Sequence, residues 1–482
     1  MGANDEGGYH CFVHITSQKE MKIKNRDKLL SAGDIDARKI VLDIIEASLQ
    51  ALDVSRIIDD LLKLDGSMLR IGNRQWDLDL KRRVLVVGAG KACNSMAKAV
   101  EEKLGDRIGD GLVIVKQIEP GDELQRIELL EGGHPLPNEK SRSASKRILS
   151  MVEQATPDDL FIGVISGGSS ALMAYPITGI ALEDEIEVTE KLLKSSARIL
   201  EINGVRRHIS ATNGGRLAQK IEAKGAEMIN LIVSDVVGDC LTANPEQPAE
   251  FFGTPVAPDT TTLHDAVNVL RKYGLWSQVH NSIREYLETE DPARETPKEF
   301  GDLIHHFVLQ KPADGCEAAQ RAAEGMGLAS SILTTSLEGE SREAGTFLAC
   351  VAKEITINHR PVRPPCVLIA GGETTTRVEK GSGRGGPSQE LVLGFALEIA
   401  NLAGCTIAGI DTDGTDGPTE LAGGIGDSTT VKRARLKGLN VFECLRVHDS
   451  SHVLRILGDE IITGNTGTNV CDLNVIYITK KF

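Results

Sequence analysis

Short apolar runs recur along this chain, separated by amphipathic stretches. Val84-Leu-Val-Val87, Leu112-Val-Ile-Val115, Leu160-Phe-Ile-Gly-Val-Ile165 and Met228-Ile-Asn-Leu-Ile-Val233 have the length and β-branched content of strands buried on both faces. Between them, helical periodicity runs over 94–104, 138–154, 183–201 and 212–223. Ahead of the first strand, Ile44, Ile45, Leu49 and Leu52 place a helix over about 31–64, broken in its middle. Strands that alternate with helices predict a parallel sheet covered by helices on both faces.

The segment Thr289 to Glu299 is charged and carries two prolines, which predicts an exposed linker. After it the pattern restarts with helices over 313–325, 342–357 and 387–402 and strands over 328–335, 366–370, 405–410 and 473–478. The expectation is an α/β protein of two α/β domains, because 482 residues exceed what one core holds. The larger domain would cover 35–290 and the smaller 300–482, with residues 1–34 a loose extension. The sequence carries no internal repeat.

Apolar residues make up 41% and charged residues 26%, the balance of an ordinary globular enzyme. A formal net charge of −15, with no basic block interleaved with aromatics, argues against nucleic acid as a partner. No apolar run reaches about 18 residues, so no membrane span is expected. Nine scattered cysteines without a CxxC pair read as reduced thiols. Met1 to Lys28 has neither an apolar leader core nor the Arg-rich, acid-poor character of a transit peptide. The expected compartment is the cytoplasm rather than the mitochondrial matrix; oligomeric state is not legible.

Chemistry concentrates where strands should end. Gly381-Ser-Gly-Arg-Gly-Gly-Pro-Ser-Gln-Glu390 offers backbone for close approach at Gly383, Gly385 and Gly386, a cationic fork at Arg384, and Gln389 at a helix start. Gly371-Gly-Glu373 ends one apolar run, and Asp411, Asp413 and Asp416 follow another in a Gly-rich turn suited to a hard cation. Gly88-Ala-Gly-Lys-Ala92 follows a strand and opens a helix, so amides at Gly88 and Gly90 and the charge of Lys91 favour an anion. It departs from the dinucleotide fingerprint at Cys93 and from the P-loop at Leu85 and Ala92, which leaves a tight turn with a solvated lysine as the rival reading. Ser166-Gly-Gly-Ser-Ser170 makes a second nest for carboxylate or phosphate, with a helix-capping serine as its alternative. A serine nucleophile is disfavoured by the lack of GxSxG. Asp235 ends another strand and Asp239 follows four residues later; both suit Mg²⁺ or an attacking hydroxyl, or simply cap turns.

These segments, with Gly132-Gly-His-Pro-Leu-Pro137, Arg206-Arg-His-Ile-Ser210, Gly214-Gly-Arg-Leu-Ala218, Ser234-Asp-Val-Val-Gly-Asp239 and Thr463-Gly-Asn-Thr-Gly-Thr-Asn-Val470, resemble the class II glycerate kinases, whose carboxy-terminal portion is the MOFRL domain. The resemblance runs from about residue 35 to the end. It implies a Rossmann-like amino-terminal domain, a MOFRL-containing second domain, and a cleft between them that uses ATP and Mg²⁺ to phosphorylate the C2 hydroxyl of D-glycerate. It gives Lys91 the family lysine's role. The family arginine falls on Pro387, so Arg384 is the substitute, and Asn213 stands where many relatives carry lysine. On this reading Lys91 and Arg384 neutralise phosphate, Asp235, Asp239, Asp413 and Asp416 supply Mg²⁺ ligands, and Ser166 to Ser170 receive glycerate's carboxylate. A nicotinamide-dependent hydroxypyruvate reductase and a non-catalytic metabolite-binding homologue are the alternatives.

Overall fold

A computed structural model describes residues 21–195, 197–237, 255–289, 291–378 and 383–479. One six-stranded sheet is entirely parallel, in the order Glu128–Glu131, Ile108–Val115, Arg83–Ala89, Asp159–Ile165, Glu227–Val233, Ile304–Gln310. Its strands are apolar throughout because both faces are covered. Val84 and Val86 enter one apolar cluster, while Leu85 and Val87, pointing the other way, enter the opposite one. The second six-stranded sheet is mixed: Ala329–Leu337 lies parallel to Cys366–Gly372, and every later pairing is antiparallel, in the order Asp472–Ile478, Cys405–Asp411, Gly423–Asp427, Glu460–Ile461. The doubly covered α/β class expected from the alternation is therefore found. No described helix is long and apolar enough to cross a membrane.

The expected boundaries need correction in three places. Helix Ile35–Ala51 packs on the second sheet, where Val41, Ile45 and Leu49 share a cluster with Val367, Ile369 and Val475. Its buried Arg38 bridges Asp427 at 2.6 Å and Asp459 at 2.7 Å. Conversely, strand Ile304–Gln310, beyond the predicted linker, completes the first sheet. Residues 21–34 are docked rather than loose: Ile23 and Leu29 are buried, and the Asn25 side chain donates to the Glu460 carbonyl at 2.7 Å. Residues 1–20 lie outside the described residues.

Local pattern also misplaced several elements. The helix predicted to reach residue 64 stops at Leu61, and Leu62–Asp65, Met68–Ile71 and Arg74–Asp77 form an antiparallel meander. The stretch 183–201 divides into helices Leu182–Lys194 and Ile199–Ile209. The helix expected from residue 212 begins at Arg216, because Gly214 and Gly215 adopt left-handed backbone at φ of 62° and 76°. Helices Leu263–Lys272 and Asn281–Leu287 were not placed by periodicity.

Candidate functional site

The carboxyl ends of Arg83–Ala89, Asp159–Ile165 and Glu227–Val233 face loops that leave Cys366–Gly372 and Cys405–Asp411 of the second sheet. Lys91 follows the first of these strands. Its Nζ lies 2.8 Å from Asp413 Oδ2, so the two units meet in an ion pair. Burial works against the ammonium, but Asp413, Asp411 and Asp235 outweigh it and hold Lys91 charged above its ordinary range. Asp413 is held low despite burial, by Lys91 and by hydrogen bonds from Thr415, whose N–H donates to Oδ1 at 2.7 Å.

The serine-rich turn is locked to the lysine turn. The Lys91 N–H donates to the Gly167 carbonyl at 2.9 Å, and the Ala92 N–H donates to Ser166 Oγ at 3.0 Å. Ser166 thus takes the capping role at the start of helix Cys93–Leu104. Gly88 and Gly90 serve packing: Cβ atoms there would lie 2.0 Å from the Val164 carbonyl oxygen and 2.0 Å from Ser166 Oγ. Gly167 lets Asp235 approach, since a Cβ would fall 1.7 Å from Asp235 Oδ2. Gly168, at φ 87°, sits against His134 and the stem of Lys91. Ser169 and Ser170 open the short helix Ser169–Leu172, and Asn213 Nδ2 donates to the Ser170 carbonyl at 3.1 Å.

Asp235 is fixed by Asn469, whose Nδ2 donates to Oδ2 at 2.9 Å. Burial pushes its carboxyl upward against the opposing pull of Lys91. Glu373 is reached by water yet ringed by protein, and desolvation together with Asp235 pushes it up to about 7. Gly371 and Gly372 before it pack against Cys316 and the Leu337 backbone.

Other predicted site residues are placed elsewhere. Asp416 accepts the N–H groups of Ser388 at 3.1 Å and Gln389 at 2.9 Å, so it caps helix Pro387–Glu398 rather than facing Lys91. The buried Gln389 donates to Thr419 Oγ1 at 3.1 Å and accepts from Ser451 Oγ at 2.6 Å. Gly383, Gly385 and Gly386 pack on Asp449, Ser450 and Asp416. The Arg384 side chain is 64% exposed and engages Glu420 at 3.2 Å and the Pro418 carbonyl at 3.3 Å. Among the described residues, no hydrogen bond or ion pair joins it to Lys91, Asp235 or Asp413. Asp239 lies outside the described residues.

Three further groups join the site: Asp411, already grouped with the hard-cation carboxylates, and two that sequence reasoning did not assign, Asn469 and His134. Asp411 follows the same strand as Asp413 and is pushed well above the carboxylate range by burial and by Asp413. Asn469 arrives from the Thr463–Val470 motif, and His134 from Gly132-Gly-His-Pro135. Desolvation and the charge of Lys91 push His134 down to about 3, so it is neutral at physiological pH. Both motifs were visible, but nothing local says that they converge.

The donor set suits a hard divalent cation. Asp235, Asp411 and Asp413 surround Lys91, and the buried Asp472 carboxyl is pushed well above its usual range by desolvation and by Asp411. Among the described residues no three acidic, His or Cys side chains form a ready-made metal cage. A hard divalent ion there would be held by one or two carboxylates together with waters or substrate phosphates.

Comparison with known proteins places this architecture. Residues 40–288 match the domain of unknown function DUF4147, and residues 366–472 match the MOFRL family. Glycerate 2-kinase of Pyrococcus horikoshii is 40% identical over 93% of this chain and 98% of its own. The crystal structure of glycerate kinase from Thermotoga maritima superposes with a TM-score of 0.74 at 36% identity, covering 92% of this chain and 99% of that one. A chain of Agrobacterium vitis with the provisional name hydroxypyruvate reductase is 34% identical over 92% of this chain and 95% of its own. With both modules matched in order and relatives aligned over nearly their full length, the chain belongs to the DUF4147 and MOFRL family of glycerate 2-kinases.

Proposed function

We propose that the cleft transfers the γ-phosphoryl group of ATP to the C2 hydroxyl of D-glycerate, giving 2-phosphoglycerate and ADP. The observation that carries this reading is Lys91, a cation held charged at the junction of the two units and surrounded by Asp413, Asp411 and Asp235. Phosphoryl transfer requires positioning and charge neutralisation more than covalent chemistry. Lys91 neutralises the transferring oxygens. Asp235, fixed by Asn469, accepts the hydrogen bond of the attacking hydroxyl. Asp411 and Asp413, with Asp235, are the residues that would hold Mg²⁺, which when bound offsets phosphate charge that these carboxylates would otherwise repel.

Hydride transfer is disfavoured because the turn after Arg83–Ala89 carries Cys93 where the dinucleotide fingerprint needs a third small residue. A coupled assay with D-glycerate, ATP and Mg²⁺, resolving 2- from 3-phosphoglycerate, should show 2-phosphoglycerate. Protein-dependent NADH or NADPH oxidation with hydroxypyruvate, without phosphoryl transfer, would replace this reading with the reductase.

A further inference from the structure

Helix Ile199–Ile209 runs its last turn beneath the serine-rich turn of the cleft. Its end is stapled there: Ala211 N–H donates to the Tyr175 carbonyl at 2.7 Å, Thr212 Oγ1 to the Met173 carbonyl at 2.5 Å, and Asn213 Nδ2 to the Ser170 carbonyl. Three consecutive basic residues close this helix. Arg207 is paired with Asp259 at 3.2 Å, and His208 with Glu295 at 2.8 Å. Arg206 is different. Only 7% exposed, it buries Nε and Nη2 with no hydrogen-bond partner among the described residues. Glu185, on helix Leu182–Lys194, is the nearby countercharge, but both of its oxygens are also buried without a hydrogen-bond partner among the described residues. The charge of Arg206 is nevertheless felt at His134, which sits against Gly168 beside Lys91.

A buried guanidinium with vacant donors is costly, and a carboxylate is the partner its planar fork fits best. Resting on the kinase reading above, we infer that Arg206 is the specificity residue that receives the acceptor's carboxylate beneath the Ser169–Ser170 turn. Glu185 is a positioning residue that supplies partial charge balance while the cleft is empty. An uncharged polyol of the same length would leave Arg206 unsatisfied, so the cleft selects small 2-hydroxy carboxylates over polyols.

The test compares the full chain with Arg206→Gln, Arg206→Lys and Glu185→Gln. Arg206→Gln should raise the KM for D-glycerate at least about tenfold while the KM for ATP stays within about twofold, and Arg206→Lys should fall between it and the parent. Glu185→Gln, which removes the competing carboxylate, should leave the D-glycerate KM unchanged or lower it. Calorimetry with 3-hydroxypropanoate, a carboxylate lacking the C2 hydroxyl, should show binding that is lost in Arg206→Gln. An unchanged D-glycerate KM in folded Arg206→Gln would overturn the inference. So would a rise in Glu185→Gln as large as that in Arg206→Gln, since that pattern marks a purely structural pair. Should Arg206→Gln not fold, Arg206→Lys and Glu185→Gln decide by the same criteria. Absence of D-glycerate phosphorylation in the parent chain refutes the kinase reading alone, and the 3-hydroxypropanoate titrations then decide on Arg206.

Discussion

Lys91 Nζ and Asp413 Oδ2 stand 2.8 Å apart, one carried by the parallel sheet and the other by the mixed sheet. This pair gives the cleft its electrostatic character. Because Asp411 and Asp235 also act on Lys91, the immediate surroundings carry more carboxylates than cations. A polyphosphate entering alone would meet repulsion, whereas one entering with a divalent cation would not.

Replacing Lys91 by Ala should lower kcat by at least about a hundredfold, since a cation on transferring oxygens acts mainly in the transition state. Steady-state kinetics on protein with an unchanged circular dichroism spectrum measures this. Turnover near that of the parent would remove Lys91 from the chemistry.

Gly167→Ala tests whether the approach of the serine-rich turn to Asp235 matters. A methyl group there would lie 1.7 Å from Asp235 Oδ2 and 2.2 Å from Asn469 Nδ2, so the carboxylate must move. Displacement of a reacting group by about 1 Å costs on the order of a hundredfold in rate. Parental kcat/KM in this variant would show that the position of Asp235 is not critical.

Arg384 reads differently once its surroundings are known. Its exposed ion pair with Glu420 is of a kind worth at most about 1 kcal/mol. Arg384→Ala and Arg384→Lys should each change kcat/KM by less than about tenfold. A loss comparable to that of Lys91→Ala would restore Arg384 to the phosphate-binding role expected from the sequence.

His306 supplies a pH test away from the cleft. Desolvation pushes its imidazole down to about 4, and neither ring nitrogen has a hydrogen-bond partner among the described residues. Below pH of about 6.5 the unfolded chain binds a proton that the folded chain refuses until about pH 4, so stability is lost as pH falls through that window. The loss is at most on the order of 3.5 kcal/mol. In His306→Leu this component disappears, and urea titrations should show the variant gaining on the parent as pH falls from about 6.5 to about 4. A gap independent of pH would show that His306 charges freely in the folded protein.

Local pattern was sufficient for what depends on neighbours in sequence. Apolar runs such as Leu160–Ile165 can be buried only as interior strands, and the glycine-flanked ends of those runs mark where polar groups emerge. The alternation therefore determined the α/β class, and the motifs determined the family and most of the residues around Lys91. What local pattern could not determine is which surfaces meet. Helix Ile35–Ala51 is amphipathic on either sheet, and only its fit to Val367 and Val475, with Arg38 between Asp427 and Asp459, assigns it to the second. The same holds within the site. Asp413 and Asp416 are three residues apart in one turn, yet one faces Lys91 and the other caps a helix. Arg384, Arg206 and His134 each looked like a basic residue in a motif. Tertiary packing left the first in solvent, buried two nitrogens of the second without a hydrogen-bond partner among the described residues and neutralised the third, because desolvation and the charges brought alongside are set by the folded chain.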